Sequence, residues 1–224
     1  MAERSALYFG RLDGSLEPRP LTTGVCYCCK TSLAAGVDGS LYAAWRHVYP
    51  GNIRDIAFTS SRDGGRTFAA PVRVSEDKWV LDGCPENGPA VAADRSGRVH
   101  VVWPTLVDGS TGLALFYARS IDGRRFTPRQ RIPTEGTPRH PQMAVAADGS
   151  FVVVWDEGES GARRIAATRG GGASAATLDV RFVREPLEST TAATYPVVAS
   201  VGTRFVLAWA SRTSTSAIHV RPLP

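Results

Sequence analysis

Four short segments of the chain close in the same way, each on a tryptophan: GSLYAAW (residues 39–45), GRVHVVW (97–103), GSFVVVW (149–155) and GTRFVLAW (202–209). Trp45, Trp103, Trp155 and Trp209 follow one another at 58, 52 and 54 residues, with Trp79 outside the series. A fixed period of this size signals stacked or radial units, each unable to bury its apolar surface alone. Another apolar run precedes each tryptophan: Ser32 to Val37, Pro89 to Ala93, Gln142 to Ala147 and Tyr195 to Val201. Between the two stand turn pairs such as Asp38-Gly39, Ser96-Gly97 and Asp148-Gly149, so each unit opens with a β-hairpin.

A third run follows (Asp55 to Thr59, Ala114 to Ala118, Arg164 to Thr168), then a fourth (Pro71 to Val74, Gln130 to Ile132, Arg181 to Val183). Four short strands per repeat with no helical periodicity predict an all-β propeller, favoured over a flat sandwich by the regular period. The expected repeats are 23–76, 83–133 and 138–187, flanked by partial units at 1–22 and 195–224. Residues 6–12 and Leu16 to Leu21 read as a third and a fourth strand, whereas Tyr195 to Val220 supply a first, second and third. Joining these ends would give one blade two third strands. The expectation is therefore the C-terminal part of a longer propeller, six-bladed if complete, or an open arc whose edges self-associate.

Composition narrows the partners. The chain has 224 residues, net charge +5 and 43% hydrophobic residues, with Lys30 and Lys78 its only lysines. That arginine bias, with abundant Ala, Gly and Val, points to a GC-rich bacterial genome, and the scatter of its basic residues (Arg46, Arg98, Arg139, Arg184) argues against nucleic-acid binding. No run reaches the ~18 apolar residues of a membrane helix. The first five residues carry no apolar signal-peptide core. The glycine-rich stretch 170–176 lacks a phosphate-loop ending and reads as a turn.

Between the third and fourth strands of the first full repeat stands SRDGGRTF (61–68), followed in the next repeat by SIDGRRF (120–126) and preceded, in decayed form, by LDGS at 12–15. Asp63 can accept hydrogen bonds from its own turn, glycine allows positive φ, and the aromatic packs beneath. These turns resemble the Asp-box, or BNR repeat, of the sialidase superfamily. The resemblance implies structural roles for Ser61, Asp63, Gly65, Phe68, Ser120, Asp122 and Phe126, on the face opposite the active site. It also implies an extracytoplasmic location and a glycan or other small-molecule ligand.

In an antiparallel blade the remaining connections emerge together on the other rim. The lead-ins to successive first strands are CYCCK (26–30), DGCPEN (82–87), PRHP (138–141) and TYP (194–196). Loops after the tryptophans add Arg46, His47, Arg54, Asp55 and Glu157. Cys26, Cys28, Cys29 and Cys84 should therefore approach one another, as one or two disulfides, as a soft-metal site for copper or zinc with His47 or His140, or as free or redox-active thiols. Similarity to sialidases implies candidate roles here: Arg46, Arg54 and Arg139 clamping a sugar carboxylate, Tyr195 as nucleophile with Glu157 as its base, and Asp55 as the acid. A ligand-binding sialidase-like propeller, an exo-sialidase and a protein-interaction scaffold are the functional alternatives.

Overall fold

The computed structural model describes residues 4–159, 162–171, 180–187, 192–212 and 215–223. They form five antiparallel sheets in chain order. The first pairs β1 (Ala6–Phe9) with β2 (Arg19–Thr23). Three four-stranded sheets follow: β3 (Ser32–Ala35), β4 (Leu41–Arg46), β5 (Ile56–Ser61), β6 (Val72–Arg73); β7 (Ala90–Ala93), β8 (Val99–Thr105), β9 (Ala114–Ser120), β10 (Gln130–Ile132); and β11 (Pro138–Val145), β12 (Phe151–Glu157), β13 (Arg164–Gly171), β14 (Arg181–Arg184). The last holds β15 (Ala193–Val201), β16 (Arg204–Arg212) and β17 (Ser216–Leu223). The all-β architecture expected from the repeat is present. Part of the glycine-rich stretch, residues 172–176, lies outside the described residues.

The apolar strings of β8 and β12 are continuous because both faces of these strands are covered. Trp103 and Val101 pack back against Ile56 and Phe58 of the preceding sheet, while Val102 joins the cluster shared with Phe151, Val153 and Trp155 of the next. Val152 and Val154 face onward to Phe205, Leu207 and Trp209. Each tryptophan thus wedges its sheet against the one before it, down to Trp45, which packs with Leu7 of β1. By contrast, β16 alternates buried and less buried residues, as a strand covered on one face must.

The short turns are held by a repeated carboxylate device. Asp63 accepts the Thr67 amide at 2.8 Å and the hydroxyls of Thr67 at 2.6 Å and Ser61 at 2.8 Å. Gly64 and Gly65 sit at φ +70° and +91°, the left-handed region an L side chain resists. Asp122 accepts the Arg124 and Arg125 amides at 2.9 Å each, and Phe126 packs edge-on against Phe58. Asp38, Asp94 and Asp148 cap the first hairpins of their sheets in a related way, each accepting the amide of the serine two residues on.

Two first strands run further toward the rim than their apolar runs implied. β11 begins at Pro138 and β15 at Ala193, each crossing a break in register, between Arg139 and Gln142 and between Thr194 and Val197. The breaks fall at His140-Pro141 and Tyr195-Pro196. Proline has no N–H to give the ladder, so the chain bulges and then resumes pairing.

Candidate functional site: an axial pocket and a sulfur cluster

Three residues at the lead-ins hold positive φ without being glycine: Glu86 at 52°, His140 at 49° and Tyr195 at 53°. Such conformations are costly and persist where the surroundings impose them, commonly at functional sites. All three line one cavity of about 250 Å³, together with Cys28, Lys30, Gly88, Pro141, Pro196 and Val197. The walls come from the lead-ins to β3, β7, β11 and β15, one from each of four successive sheets. The approach is close enough that a Cβ on Gly88 would meet the Lys30 carbonyl oxygen at 1.8 Å.

Behind the His140 wall of this pocket Asp156, fully buried near the end of β12, accepts a hydrogen bond from His140 Nδ1 at 2.8 Å and forms an ion pair with Arg163. An ionised carboxylate can only accept, so facing one places the ring proton on Nδ1 and leaves Nε2 as the other ring nitrogen. The Tyr195 amide reaches the same oxygen at 3.4 Å, and the Tyr195 ring lies on His140 with centroids 4.3 Å apart. Tyr195 is nevertheless 61% exposed, presenting an aromatic surface to solvent. Burial lowers the Lys30 pKa.

A neighbouring cavity of about 790 Å³ is lined by Cys26, Cys28, Cys84, Tyr49, Asn52, Arg54 and Asp82, among others. Cys28 and Cys84 form a disulfide, tying the first and second lead-ins together. Cys26 and Cys29 are free and buried, with the Cys29 thiol donating to Cys26 Sγ at 3.2 Å. Arg54 Nη1 lies 3.4 Å from the same sulfur. The hydrogen bond from Cys29, opposed by burial but aided by the charges of Arg54 and Arg46, draws Cys26 down to about 6. Donating that bond, and burial, push Cys29 up. The sulfurs of Cys26, Cys28 and Cys29 lie within 4.8 Å of one another. With Cys28 and Cys84 oxidised, however, the four-thiolate copper or zinc site does not form, because a disulfide sulfur has no thiolate charge to offer.

Several rim residues carry other duties than those the sialidase likeness implied. Arg46 is fully buried; Nε donates to the Asn87 carbonyl at 2.8 Å, Nη2 to that of Pro104 at 2.6 Å and Nη1 to that of Arg54. Its guanidinium also lies over Trp79, 4.9 Å from the ring centre. Arg54 is likewise engaged, by the Leu81 carbonyl at 3.2 Å and Asn52 Oδ1 at 3.0 Å. Neither offers a free fork to a sugar carboxylate, whereas Arg139 is exposed on β11. Asp55 accepts the Lys78 and Trp79 amides and pairs with Arg73 at 3.4 Å; its burial pushes its pKa up. His47 accepts from Trp45 Nε1 at 3.3 Å and packs on Tyr49, and burial lowers its pKa.

Glu157 faces away from its neighbour Asp156, as successive strand residues must. It accepts Trp155 Nε1 at 2.8 Å and the Glu135 amide at 3.1 Å, and pairs with Arg184 and Arg164. The carboxylate beside Tyr195 is that of Asp156. Lys30 and Glu86 lay in segments visible as rim connections, and Asp156 directly precedes Glu157 there, yet nothing in their residue types set them apart. The proline that follows His140 and Tyr195 was the available signal.

All-β sheets stacked through their middle strands, with aspartate-capped turns on one rim and strand lead-ins converging on the other, define a sialidase-like β-propeller fold. No family model and no curated protein matches the sequence. Solved structures do. A Hadza microbial sialidase is 18% identical with a TM-score of 0.60, covering 94% of this chain and 49% of its own. The Penicillium chrysogenum α-L-arabinanase, complexed with arabinobiose, is 14% identical with a TM-score of 0.58 over 96% of this chain and 70% of its own. The Trypanosoma rangeli sialidase, in complex with the inhibitor DANA, is 10% identical with a TM-score of 0.57 over 98% and 40%. These neighbours are glycoside hydrolases, and the chain spans about half the length of the first of them.

Proposed function

We propose that this propeller binds a saccharide in the axial pocket, with the exposed Tyr195 ring as platform and His140, Glu86 and Lys30 as polar partners. The observation that carries this reading is the convergence of four successive lead-ins on one cavity, with strained backbone at Glu86, His140 and Tyr195. A ring with one apolar face and a polar edge suits a sugar, whose C–H face is apolar and whose hydroxyls need partners. The buried Asp156 fixes the His140 ring, so Nε2 is presented without rearrangement. The disulfide suits an oxidising, extracytoplasmic compartment.

Binding is favoured over sialidase turnover because Arg46 and Arg54 are consumed by carbonyls and sulfur, and Glu157 by Arg184 and Trp155. Calorimetric titration with arabinobiose and with 3′-sialyllactose tests the proposal. Binding of either should weaken about tenfold in Tyr195→Ala, equivalent to about 1.4 kcal/mol, with the melting temperature unchanged. No heat with either sugar, or equal affinity in the variant, contradicts it. Hydrolysis of a fluorogenic sialoside, lost in Tyr195→Phe, would establish the exo-sialidase instead.

A further inference from the structure

The sulfur cluster holds a dithiol and a disulfide in contact, and the saccharide pocket does not account for it. Cys26 Sγ lies 3.2 Å from Cys29 Sγ and 3.6 Å from Cys28 Sγ, the near sulfur of the Cys28–Cys84 bond. The guanidinium of Arg54 at 3.4 Å and the thiol hydrogen of Cys29 both favour negative charge on Cys26. A thiolate beside a disulfide sulfur is the arrangement that thiol–disulfide exchange requires. Cys26 and Cys29 are buried, whereas Cys84 is exposed at the mouth of the larger cavity.

We infer that Cys26 is the nucleophile of an internal thiol–disulfide exchange that releases Cys84 and so unlatches the loop 81–88 from the lead-in 26–30. Cys26 Sγ forms a bond to Cys28 Sγ, the Cys28–Cys84 bond breaks, and its electron pair leaves on Cys84, which takes a proton from water. One disulfide is present before and after, so no outside oxidant or reductant is needed. The released loop carries Glu86, a wall of the axial pocket. The exchange therefore joins the disulfide pairing of the cluster to the shape of that pocket, whatever the pocket binds.

The native, unreduced protein is incubated with N-ethylmaleimide, then digested without reductant and mapped by mass spectrometry. The expected adduct is on Cys84, with Cys26 joined to Cys28 in one peptide. Cys26→Ser should slow Cys84 labelling by about tenfold or more, because the attacking thiolate is gone. Wild-type protein whose Cys84 stays unlabelled, or which carries adducts on Cys26 or Cys29 with Cys28–Cys84 intact, overturns the inference. So does undiminished Cys84 labelling in Cys26→Ser. Should that variant fail to fold, the wild-type peptide map decides alone.

Discussion

A buried arginine and a buried glutamate show how far residue type can mislead about role. Arg46 sits on the rim expected to bind ligand, yet its donors point to the carbonyls of Asn87, Arg54 and Pro104 and staple two neighbouring sheets. Those acceptors lie as far as 58 positions along the chain, so no local pattern could disclose them. Arg46→Met leaves the carbonyls unpaired in a dry interior and should lower stability by about 3 kcal/mol in urea unfolding; an unchanged midpoint would refute the staple. Glu157 gives a pH prediction. Burial opposes its charge, but Arg184, Trp155 and the Glu135 amide outweigh burial and hold its pKa below the ordinary 4.5. The folded state thus keeps the carboxylate ionised where the unfolded chain protonates it. The stabilisation is complete above pH 4.5 and disappears as pH falls through the lower folded value. Melting temperatures from pH 6 to pH 3 should fall less steeply in Glu157→Gln than in the parent, and parallel curves would remove Glu157 from the account.

Strands and turns were far more legible, because their determinants are local. The Trp-ended strings became β4, β8, β12 and β16, and the glycine-containing pairs became their hairpin turns. The third strand expected to stop at Thr59 runs on to Ser61, so the serine whose hydroxyl donates to Asp63 belongs to strand and turn alike. The bulged start of β11 was hidden, since its apolar run resumes only after Pro141, and the break in β15 lies at the very head of the run from Tyr195. The turn device is separable from the pocket. Asp63→Ala removes the acceptor for the Thr67 amide and hydroxyl, so that amide should exchange with solvent markedly faster while saccharide binding holds. Unaltered exchange at Thr67 would mean that glycine and Phe68 alone hold the turn.

At the scale of the molecule, the sheets are joined by indoles that reach backward and by lead-ins that converge at the axis. The period made that arrangement legible and put Cys28, Cys84 and His140 on one side, but it could not say which polar groups were already committed. Among the described residues β17 pairs with β16 alone, and Ile218 and Val220 on it are exposed. Unpaired edges template further pairing, so sedimentation velocity should show association with a second copy as concentration rises, diminished in Ile218→Lys. A concentration-independent monomer would argue against it. The central claim, that the axial pocket and not the turn face receives a saccharide, is tested most directly by imidazole NMR, since the chain has four histidines. Titration with arabinobiose and 3′-sialyllactose should move the resonances of His140 and leave His100, buried near the hairpin turns, unchanged. Movement of His100 with His140 still would contradict the account.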